Sequence, residues 1–452
     1  MKLSEISATL RKIHVSPVKS LGQNFLHDQN LARWIVDQAA ITPDDFVVEI
    51  GPGLGALTEL LVAKGAQVLA IEKDTRLANF LRDRILSSNL EVRNSDALDF
   101  GVETLFARPR VKLLGNLPYK ISSQLLLKFL RSPNPISLSL LMLQKEMATR
   151  LSASPSSKDY GALTLLVQLH YRVEYLRTIS GTVFVPQPKV DSALVRIRPR
   201  NPVELPERDN ELFAKLVRFG FSQRRKQLQK LIRPAVPQWE RAAEKLGFDP
   251  KARAENLTLR QWIGLTNLAA PRPRSQPLSP EQERFPVVDE VDRILRYAYR
   301  PEVHANNFRH RAVHILIFNE AGQLYLQKRS RRKDRHPLLW DSSAAGHVGA
   351  GEGYDDTARR ELQEELGLDL PLKKIAKIPA SEPTGYEFIW LYRGKLEDER
   401  EPRPSPNEIE VGAFFAPEII NGWIAARPGD FAPSFLECWK AYQNRQRAEP
   451  AR

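Results

Sequence analysis

A run of prolines in the middle of the chain limits how it can fold. Residues 271–286 read PRPRSQPLSPEQERFP, with five prolines in sixteen positions. Proline fixes φ and removes a backbone donor, so a segment this rich in proline stays extended and joins neither a helix nor the interior of a sheet. The chain has 452 residues, enough for two or three domains. We therefore predict a linker at 271–286 between two separately folded parts.

The composition of the chain is that of a soluble globular protein. Hydrophobic residues make up 42% and charged residues 27%, which allows a packed core and argues against wholesale disorder. No stretch approaches the roughly 18 apolar residues that a membrane helix requires. The single cysteine, Cys438, allows no internal disulfide. The sequence predicts a cytoplasmic protein without a membrane partner, and we expect a monomer.

The excess of positive charge lies entirely in the first part. Residues 1–270 hold 39 Lys and Arg against 26 Asp and Glu, whereas residues 271–452 hold 28 of each kind. Cations that neutralise phosphates release condensed counterions, so this imbalance favours a nucleic acid partner for the first part. The alternative is a solvated basic surface that serves solubility.

Short apolar runs alternate with helical patterns in the first part. The runs DFVVEI, AQVLAIE and VKLLGNL are separated by segments such as ALTELLVAKG, which indicates a parallel sheet with helices on its faces. From about residue 205 the pattern is helical only, and it predicts a helix over ELFAKLVRFGFSQRRKQLQKLI. We predict an α/β catalytic domain over 1–204 and a small helical lobe over 205–270.

The part that follows the linker has a different pattern. The runs RAVHILIF, QLYLQKR and EFIWLYRG are typical of strands, and they surround one strong helical segment, YDDTARRELQEELG. The pattern therefore predicts an α+β domain over residues 287–452.

A glycine-rich loop follows the first apolar strand, Phe46–Ile50. Its sequence, GPGLGA over 51–56, leads into a helical pattern, so the backbone can approach a ligand while the helix offers free N–H groups. Glu72 ends the next strand, where a carboxylate can accept hydrogen bonds from two ribose hydroxyls. These residues predict a nucleoside-containing cofactor without naming it, because the glycine spacing also fits a loose dinucleotide pattern. A tight turn that only packs helix on strand is the alternative.

The tetrapeptide Asn116-Leu117-Pro118-Tyr119 follows the apolar run 111–114, at the carboxyl edge where such sheets bind ligands. The exocyclic amine of adenine is a poor nucleophile because its lone pair is delocalised into the ring. The Asn116 side-chain oxygen and the Leu117 carbonyl would accept its two N–H bonds and favour a pyramidal, attacking nitrogen. Pro118 would hold Leu117 extended, and Tyr119 would offer a face on which the base stacks. An ordinary turn is the alternative.

Six segments between residues 16 and 268 occur in an order that resembles a known family. They are SLGQNFL at 20–26, EIGPG at 49–53, NLPY at 116–119, LQKE at 143–146, FVPQPKVDS at 184–192 and RAENL at 253–257. Together they resemble the small-subunit ribosomal RNA adenine N6-dimethyltransferases, the KsgA/RsmA family. The resemblance implies a class I, Rossmann-like enzyme that uses S-adenosylmethionine and dimethylates two adjacent adenines near the 3′ end of 16S rRNA in the small ribosomal subunit.

The same resemblance implies which residues hold the cofactor and the target base. The cofactor residues would be Asn24, Leu26, Gly51, Gly53, Glu72, Asp96 and Asn116. Asp96 would accept a hydrogen bond from the adenine amine of the cofactor, although a helix N-cap is a common use of aspartate. Phe184 would stack on a flipped target base opposite Tyr119. Without the resemblance to this family, the sequence predicts that Phe184 is a core residue.

A basic stretch in the helical lobe is the candidate for contacts with rRNA phosphates. It reads SQRRKQ over 222–227, and its charge comes from Arg224, Arg225 and Lys226. A charge run is often only a solvated helix face. The resemblance and the charge excess of residues 1–270 favour RNA.

Residues 346–368 match every position of the Nudix box, the signature of hydrolases that act on nucleoside and other diphosphates. The fixed positions are Gly346, Glu352, Arg360, Glu361, Leu362, Glu364, Glu365, Gly367 and Leu368. Glu361, Glu364 and Glu365 share one helix face, and Mg²⁺ or Mn²⁺ would relieve their mutual repulsion. The metal would bridge a diphosphate and activate water, with Glu364 catalytic and Arg360 orienting the glutamates. A solvated glutamate-rich helix is the alternative.

Segments around the box resemble the Nudix branch that contains isopentenyl diphosphate isomerases and their hydrolase relatives. They are VDE at 288–290, HRA at 310–312 and WD at 340–341. The resemblance implies that Arg329 and Lys333 bind a diphosphate. In the isomerases a cysteine precedes the Gly-His pair, where this chain has Ala345. We therefore favour hydrolysis, and we expect Cys438 to be a buried apolar residue.

Together these patterns predict a bifunctional polypeptide, an rRNA adenine dimethyltransferase followed by a Nudix hydrolase for a small diphosphate. Three alternatives stay open. The first part could act mainly as an assembly factor for the small subunit, or it could methylate 23S rRNA as resistance-type methyltransferases do. The Nudix domain could bind a ligand without hydrolysing it. The segment 253–257 argues against the 23S alternative.

Overall fold

The computed structural model describes residues 3–17, 23–269, 282–397 and 400–448. The chain divides into two units, residues 1–270 and 271–452. Residues 20–22 of the first family segment and residues 271–281 of the proline-rich segment lie outside the described residues. Among the helices in the described ranges, none has the length and apolar character that crossing a membrane demands.

The first unit alternates strands and helices over most of its length. Its strands are β1 (Phe25–Leu26), β2 (Phe46–Ile50), β3 (Gln67–Glu72), β4 (Leu90–Asn94), β5 (Val111–Asn116), β6 (Ile136–Gln144), β7 (Tyr171–Ile179), β8 (Phe184–Val185) and β9 (Ser192–Pro199). Its helices are α1 (Leu3–Lys12), α2 (Gln29–Gln38), α3 (Thr58–Ala63), α4 (Thr75–Arg84), α5 (Ser122–Phe129), α6 (Lys145–Ser152), α7 (Ala162–Gln168), α8 (Asn210–Gly220), α9 (Gln229–Ile232), α10 (Trp239–Leu246) and α11 (Leu259–Ala269).

Seven of these strands form one sheet in the order β4-β3-β2-β5-β6-β9-β7. The strands from β4 to β6 are parallel, and all five residues of β2 are buried, as expected for a sheet covered on both faces. This confirms the predicted α/β fold with β2, β3 and β5 at its centre. The sheet ends in two antiparallel strands, β9 and β7. The sequence analysis did not predict these two strands.

The helical lobe packs around two buried tryptophans, Trp239 and Trp262. The predicted continuous helix over residues 211–232 is wrong. α8 ends at Gly220, residues 221–228 form turns, and α9 begins at Gln229. Tertiary pairing replaces the helical hydrogen bonds here, because Gln227 forms a bridge with Arg253 and the Leu228 N–H donates to the Ala252 carbonyl.

The second unit is an α+β domain, as predicted. Its strands are β10 (Arg284–Val288), β11 (Ile294–Tyr299), β12 (His310–Phe318), β13 (Leu324–Arg329), β14 (Trp340–Asp341), β15 (Ala344–His347), β16 (Leu372–Ile378), β17 (Glu387–Lys395) and β18 (Ile409–Phe415). Its helices are α12 (Arg300–Ala305), α13 (Tyr354–Leu366), α14 (Pro417–Ala426) and α15 (Pro433–Ala448).

A seven-stranded mixed sheet holds the α13 helix in this unit. Its path is β14-β13-β12-β17-β16, with β15 paired to β12 and β18 paired to β13. β10 and β11 form a separate antiparallel ribbon. β10 starts at Arg284, inside the segment predicted as linker, and it contains Pro286, which a two-stranded ribbon tolerates because one edge needs no donor. Cys438 is fully buried, as predicted.

Candidate active sites

Five of the seven cofactor residues predicted from the sequence line a cleft at the carboxyl ends of β2 and β5. They are Asn24, Leu26, Gly51, Gly53 and Asn116, whereas Glu72 and Asp96 are not among the lining residues. Gly51 and Gly53 have φ values of +66° and +58°, which glycine adopts without the steric cost of a Cβ atom. The loop can therefore turn sharply and leave its backbone exposed to the cleft.

Glu72, at the end of β3, accepts a hydrogen bond from this glycine loop and so connects the loop to that strand. One carboxylate oxygen accepts a hydrogen bond from the Gly53 N–H at 3.1 Å, and the other accepts from the Asp74 N–H at 2.9 Å. The side chain is buried, and burial raises its pKa despite these hydrogen bonds. Glu72 thus holds the loop in shape beside the cleft, where the sequence predicts that it also accepts from ribose hydroxyls.

Asp96 lies at the end of β4, near Glu72, and outside the residues that line the cleft. Its carboxylate forms an ion pair with Lys73 at 2.6 Å and accepts from the Leu98 N–H at 2.9 Å. The hydrogen bond from Lys73 lowers the pKa of Asp96. Asp96 is therefore charged and able to accept from an amine, but the amine of Lys73 occupies one of its oxygens.

The orientation of the Asn116 side chain follows from its hydrogen bond. Its Nδ2 atom lies 3.0 Å from the backbone carbonyl of Asn24. A carbonyl only accepts, so the atom facing it must be the nitrogen, and this assigns the amide. The Oδ1 atom is left as an acceptor at the rim of the cleft. The next residue, Leu117, is fixed by a hydrogen bond from its N–H to the Met142 carbonyl.

Tyr119 is held in place by a buried serine. Its hydroxyl lies 2.6 Å from the Oγ atom of Ser192, at the start of β9. The tyrosine is about half buried, and burial raises its pKa. The neutral phenol thus keeps one ring position, close to Asn116 and Leu117 in the chain.

Phe184 lies in the hydrophobic core rather than in the cleft. It is 2% exposed and pairs with Leu26 in the short β1–β8 ribbon, and both side chains join the core on the same face of the sheet. Stacking of Phe184 on a base stays a prediction.

Glu49 is a cleft residue to which the sequence analysis gave no role. It lines the cleft and is 2% exposed. Burial raises its pKa to about 7, although its carboxylate accepts a hydrogen bond from the Thr58 hydroxyl at 2.7 Å. An acid in the middle of an otherwise apolar strand, FVVEI, was the signal that could have identified it.

The basic stretch of the helical lobe divides into two kinds of residue. Arg224 donates to the carbonyls of Lys158 and Tyr160 and forms an ion pair with Glu255 at 2.9 Å, so it joins three segments of the lobe. Arg225 and Lys226 are exposed. All three lie in turns and not on the helix that the sequence predicted.

In the second unit, the Nudix glutamates gather around Arg360. Its guanidinium binds both oxygens of Glu352, at 2.9 and 3.0 Å, and contacts Glu361 at 2.8 Å and Glu364 at 3.1 Å. This agrees with the orienting role predicted for it. Glu365 is buried, and the side chain of Glu361 is 14% exposed. Removal from solvent raises the pKa of both, whereas Glu364 is largely exposed.

Gly346 is the box residue that makes room for these glutamates. A Cβ atom built on Gly346 would overlap the Oε1 atom of Glu361. No larger residue fits without displacing that carboxylate.

The two predicted diphosphate ligands lie beside the glutamates but already have acidic partners. Lys333 is 3.5 Å from Glu365 and also contacts Glu408. Arg329 binds Asp341 at 2.8 Å. Lys333 is therefore close enough to Glu365 that one ligand could contact both residues. To bind a diphosphate, Lys333 and Arg329 would each have to leave their carboxylate partners or contact the diphosphate in addition to them.

Three histidines form a second group of possible metal ligands, and one of them, His347, lies within the Nudix box segment 346–368. His304, His310 and His347 have ligand atoms within 4.8 Å of one another, and Glu387 lies 3.0 Å from His347. The Nδ1 atom of His310 lies 2.8 Å from the Phe308 carbonyl, and the buried Nε2 atoms of His304 and His310 have no hydrogen-bond partner among the described residues.

This donor set has the chemistry of a transition-metal site. Burial lowers the pKa of His347 to about 3, so its imidazole is neutral, the form that binds metal. Neutral imidazoles with one carboxylate suit Zn²⁺ or Mn²⁺. The sequence analysis missed this cluster, although five of the eight histidines lie within residues 304–347.

Models of known families match both parts of the chain. The model of the family "Ribosomal RNA adenine dimethylase" matches residues 16–270, and that of the "NUDIX domain" matches residues 308–435. Ribosomal RNA small subunit methyltransferase A of Geobacillus thermodenitrificans is 39% identical over 266 residues, which is 56% of this chain and 91% of the relative. The same-named protein of Halothermothrix orenii is 39% identical over 273 residues, 57% of this chain and 90% of the relative.

Among solved structures, a dimethyladenosine transferase from Plasmodium falciparum is 27% identical and matches 53% of this chain and 95% of its own, with a TM-score of 0.45. The match to the adenine dimethylase model covers more than half of the chain. The chain therefore belongs to the ribosomal RNA adenine dimethylase family, an S-adenosylmethionine-dependent class of methyltransferases, and carries a Nudix domain in the same polypeptide.

Proposed function

We propose that the first unit dimethylates N6 of two adjacent adenines near the 3′ end of 16S rRNA. The observation that carries this proposal is the fixed orientation of Asn116, whose Nδ2 atom is bound by the Asn24 carbonyl at the cleft. The two bacterial relatives described above are named as small-subunit rRNA methyltransferases. The names of these two relatives favour the small-subunit target over the 23S alternative.

Asn116 and Leu117 would prepare the adenine amine for attack. The Oδ1 atom of Asn116 and the carbonyl of Leu117 accept the two N–H bonds of the amine, so its lone pair leaves conjugation and points at the methyl donor. S-adenosylmethionine supplies an electrophilic methyl group on a positively charged sulfur. Transfer of this methyl group to the amine nitrogen would leave the carbon–sulfur electron pair on sulfur as a neutral thioether, and the proton released by the amine would pass to water.

Tyr119 would hold the plane of the target base during this step. Its hydroxyl is anchored on Ser192 at 2.6 Å, so the ring keeps one orientation, and base stacking on an aromatic side chain is worth roughly 1–3 kcal/mol. The glycine loop and Glu72 would bind the donor on the other side of Asn116. The predicted contact of Asp96 with the adenine of the donor requires Lys73 to move from, or share, one carboxylate oxygen.

Undermethylated 30S particles and labelled S-adenosylmethionine test this site. We expect Asn116→Ala to lower methyl transfer by about 100-fold or more, in the range that loss of one positioned hydrogen-bonding group produces, while particle binding persists. Asn79→Ala is the matched control, because Asn79 is exposed on α4. Unchanged transfer in Asn116→Ala would refute the assignment, and binding without transfer in the unmodified protein would favour the assembly-factor alternative.

For the second unit we propose hydrolysis of a small diphosphate with Mg²⁺ or Mn²⁺ on Glu361, Glu364 and Glu365. The support is the arrangement around Arg360, which brings box carboxylates together on one side of α13. Such a metal activates water for attack on phosphorus. Lys333, beside Glu365, and Arg329 would bind the phosphates.

A panel of diphosphates in the presence of Mg²⁺ or Mn²⁺ tests the second proposal. We expect phosphate release that Glu364→Gln lowers at least tenfold, because the substitution removes a metal-binding charge and leaves the size of the side chain unchanged. Glu418→Gln, on the exposed side of α14, is the control. If the unmodified protein hydrolyses no compound in the panel, a domain that only binds its ligand is the better account.

A further inference from the structure

A basic surface of the helical lobe holds one exposed aromatic ring. Phe219, on α8, is 54% exposed, and it is the only exposed phenylalanine among the described residues. Phe221, two residues later, packs instead on Trp262, with ring centroids 5.9 Å apart, and on Tyr160 at 6.3 Å. A single exposed apolar side chain is ordinary on its own, so the position of Phe219 and its neighbours decide what the ring does.

The periodicity of α8 keeps Phe219 off the face that packs on the lobe. The buried residues of this helix lie at positions i, i+3, i+4 and i+7, which is one stripe of a helix, and they are Phe213, Leu216, Val217 and Gly220. Phe219 falls outside that stripe, on the solvated side that also carries Lys215, one helical turn earlier. The register of α8 therefore directs the ring of Phe219 to solvent beside a cation.

Four exposed cations flank Phe219 in the sequence. Lys215 and Arg218 precede it on α8, whereas Arg225 and Lys226 follow it in the turn. None of the four forms an ion pair within the part of the chain that the structure describes. We refer to these four cations and Phe219 as the α8 platform.

Three contacts fix the backbone of the platform before any ligand binds. The N–H and the hydroxyl of Ser222 both donate to the Phe219 carbonyl, at 3.1 and 2.7 Å. The residue between them in the helix end, Gly220, lies so close to Trp262 that a Cβ atom built on it would come within 2.5 Å of that ring. Arg224 ties the turn to two backbone carbonyls of an earlier segment. A backbone held in this way loses little conformational entropy on binding.

An aromatic face among exposed cations has the chemistry that binds an unpaired nucleotide. The base stacks on the ring, and the cations neutralise the phosphates on either side of it. A fully paired RNA helix keeps the faces of its bases within the stack, so it would contact the cations and leave Phe219 unused. An apolar protein surface would cover the ring but would remove the charges from water without partners, which costs free energy.

We propose that the α8 platform binds an unpaired nucleotide of the rRNA, with the base stacked on Phe219 and the neighbouring phosphates held by the four cations. The proposal rests on the rRNA substrate proposed for the first unit, and it adds a recognition site in the helical lobe. The nucleotide on the platform is not a target adenine, because the target adenines enter the cleft beside Asn116. Recognition of the rRNA therefore depends on an unpaired nucleotide outside the methylated pair.

The affinity of the full-length protein for undermethylated 30S particles at several salt concentrations tests the stacking. We expect Phe219→Ala to lower the affinity roughly 5- to 150-fold, with the slope of log affinity against log salt unchanged because the ring carries no charge. Phe219→Trp should keep the affinity, since tryptophan offers a larger face, and Phe219→Leu should bind as weakly as Phe219→Ala. Leu86→Ala, at a position that is 87% exposed, is the control and should keep the affinity.

Full affinity in Phe219→Ala or in Phe219→Leu would overturn stacking on this ring. That failure is distinct from a failure of the proposed methylation, which is read from the products that the unmodified protein forms on the same particles.

Photo-cross-linking from position 219 distinguishes RNA from protein as the partner. With Phe219 replaced by benzoylphenylalanine, we expect irradiation of the 30S complex to attach the protein to 16S rRNA at an unpaired nucleotide. Leu86 replaced in the same way should give no such adduct. Attachment to a ribosomal protein or to a base-paired segment of the rRNA, or the absence of any adduct with RNA, would overturn the proposal.

Discussion

At the scale of single residues, hydrogen bonds and close contacts determine what each site can do. The Asn24 carbonyl orients Asn116, the Ser192 hydroxyl holds Tyr119 and the guanidinium of Arg360 gathers the Nudix carboxylates. In each case a neighbouring residue to which we give no chemical step holds a side chain of the proposed site in one position. Three individual residues give predictions that separate this positioning from general stability.

Glu49 gives a prediction about stability and pH. Its pKa is raised by burial from 4.5 to about 7, so the folded chain holds this proton more tightly than the unfolded chain. The protonated Glu49 gives its full stabilisation below about pH 4.5. As the pH rises through about 7, this stabilisation is lost and the free energy of unfolding falls by about 3 kcal/mol. We expect Glu49→Gln, which can still accept from Thr58, to flatten this decline in the free energy of unfolding.

Denaturant unfolding at pH 5 and pH 8 measures the effect of Glu49→Gln. Glu244→Gln, exposed on α10, should keep the pH dependence of the unmodified protein. If the free energy of unfolding of Glu49→Gln falls between pH 5 and pH 8 as much as that of the control, Glu49 is not the buried acid that causes the pH dependence.

Gly346 gives a prediction about the Nudix site. Gly346→Ala would place a methyl group on top of the Oε1 atom of Glu361, so the carboxylate must leave its position. We expect hydrolysis to fall at least tenfold and the free energy of unfolding to fall by about 1–3 kcal/mol, as overpacking typically costs. Gly429→Ala is the control, because a Cβ atom built on Gly429 meets no other atom within 4 Å and its φ does not lie in the left-handed region. Full hydrolysis in Gly346→Ala would contradict a fixed position for Glu361.

His347 gives a prediction about metal content. We expect the full-length protein, loaded with Zn²⁺ and dialysed, to retain one equivalent that elemental analysis detects, and His347→Ala to lose it. His14→Ala, a substitution far from the cluster in the sequence, should retain the metal. Equal zinc in all three proteins, or none in any, would show that His304, His310, His347 and Glu387 hold no such ion.

At the scale of elements, the turn at residues 221–228 holds both a structural charge, Arg224, and the two charges that we propose bind RNA, Arg225 and Lys226. Arg224 joins three segments of the lobe, whereas Arg225 and Lys226 are exposed. We expect Arg225→Gln with Lys226→Gln to weaken RNA binding and to lower the slope of log affinity against log salt by roughly 1 for each phosphate that the variant no longer neutralises.

Arg224→Gln should instead lower the thermal stability of the lobe while leaving the slope of log affinity against log salt nearly unchanged. Titrations of rRNA fragments at several salt concentrations give these slopes. An unchanged slope in the Arg225 and Lys226 double variant would remove this turn from the RNA interface.

The elements that could be predicted from the sequence are those set by local patterns. β2, β3, β5 and α13 follow from apolar periodicity, and the glycine loop and the Nudix box are contiguous, so the sequence alone brings their residues together. The turn at 221–228 could not be predicted, because it forms by pairing with residues 252 and 253. The position of Phe184 depends on the β1–β8 ribbon, and the histidine cluster depends on α12, β12 and β15, so both require contacts between segments that local patterns do not describe.

At the scale of the whole molecule, charge and sequence match divide the chain in the same place. Residues 1–270 carry the basic excess and match the adenine dimethylase family, and residues 271–452 are neutral and contain the Nudix match. An rRNA substrate explains the charge of the first unit, whereas the small diphosphate that we propose for the second unit makes no such demand.

The most direct test of the central claim is to map the methyl groups that the full-length protein adds to ribosomal RNA. Undermethylated 30S particles are incubated with S-adenosylmethionine, and the digested RNA is analysed by mass spectrometry. The account predicts N6,N6-dimethyladenosine at two adjacent adenines near the 3′ end of 16S rRNA, and none with Asn116→Ala. Methyl groups on 23S rRNA, or the same product from Asn116→Ala, would contradict it.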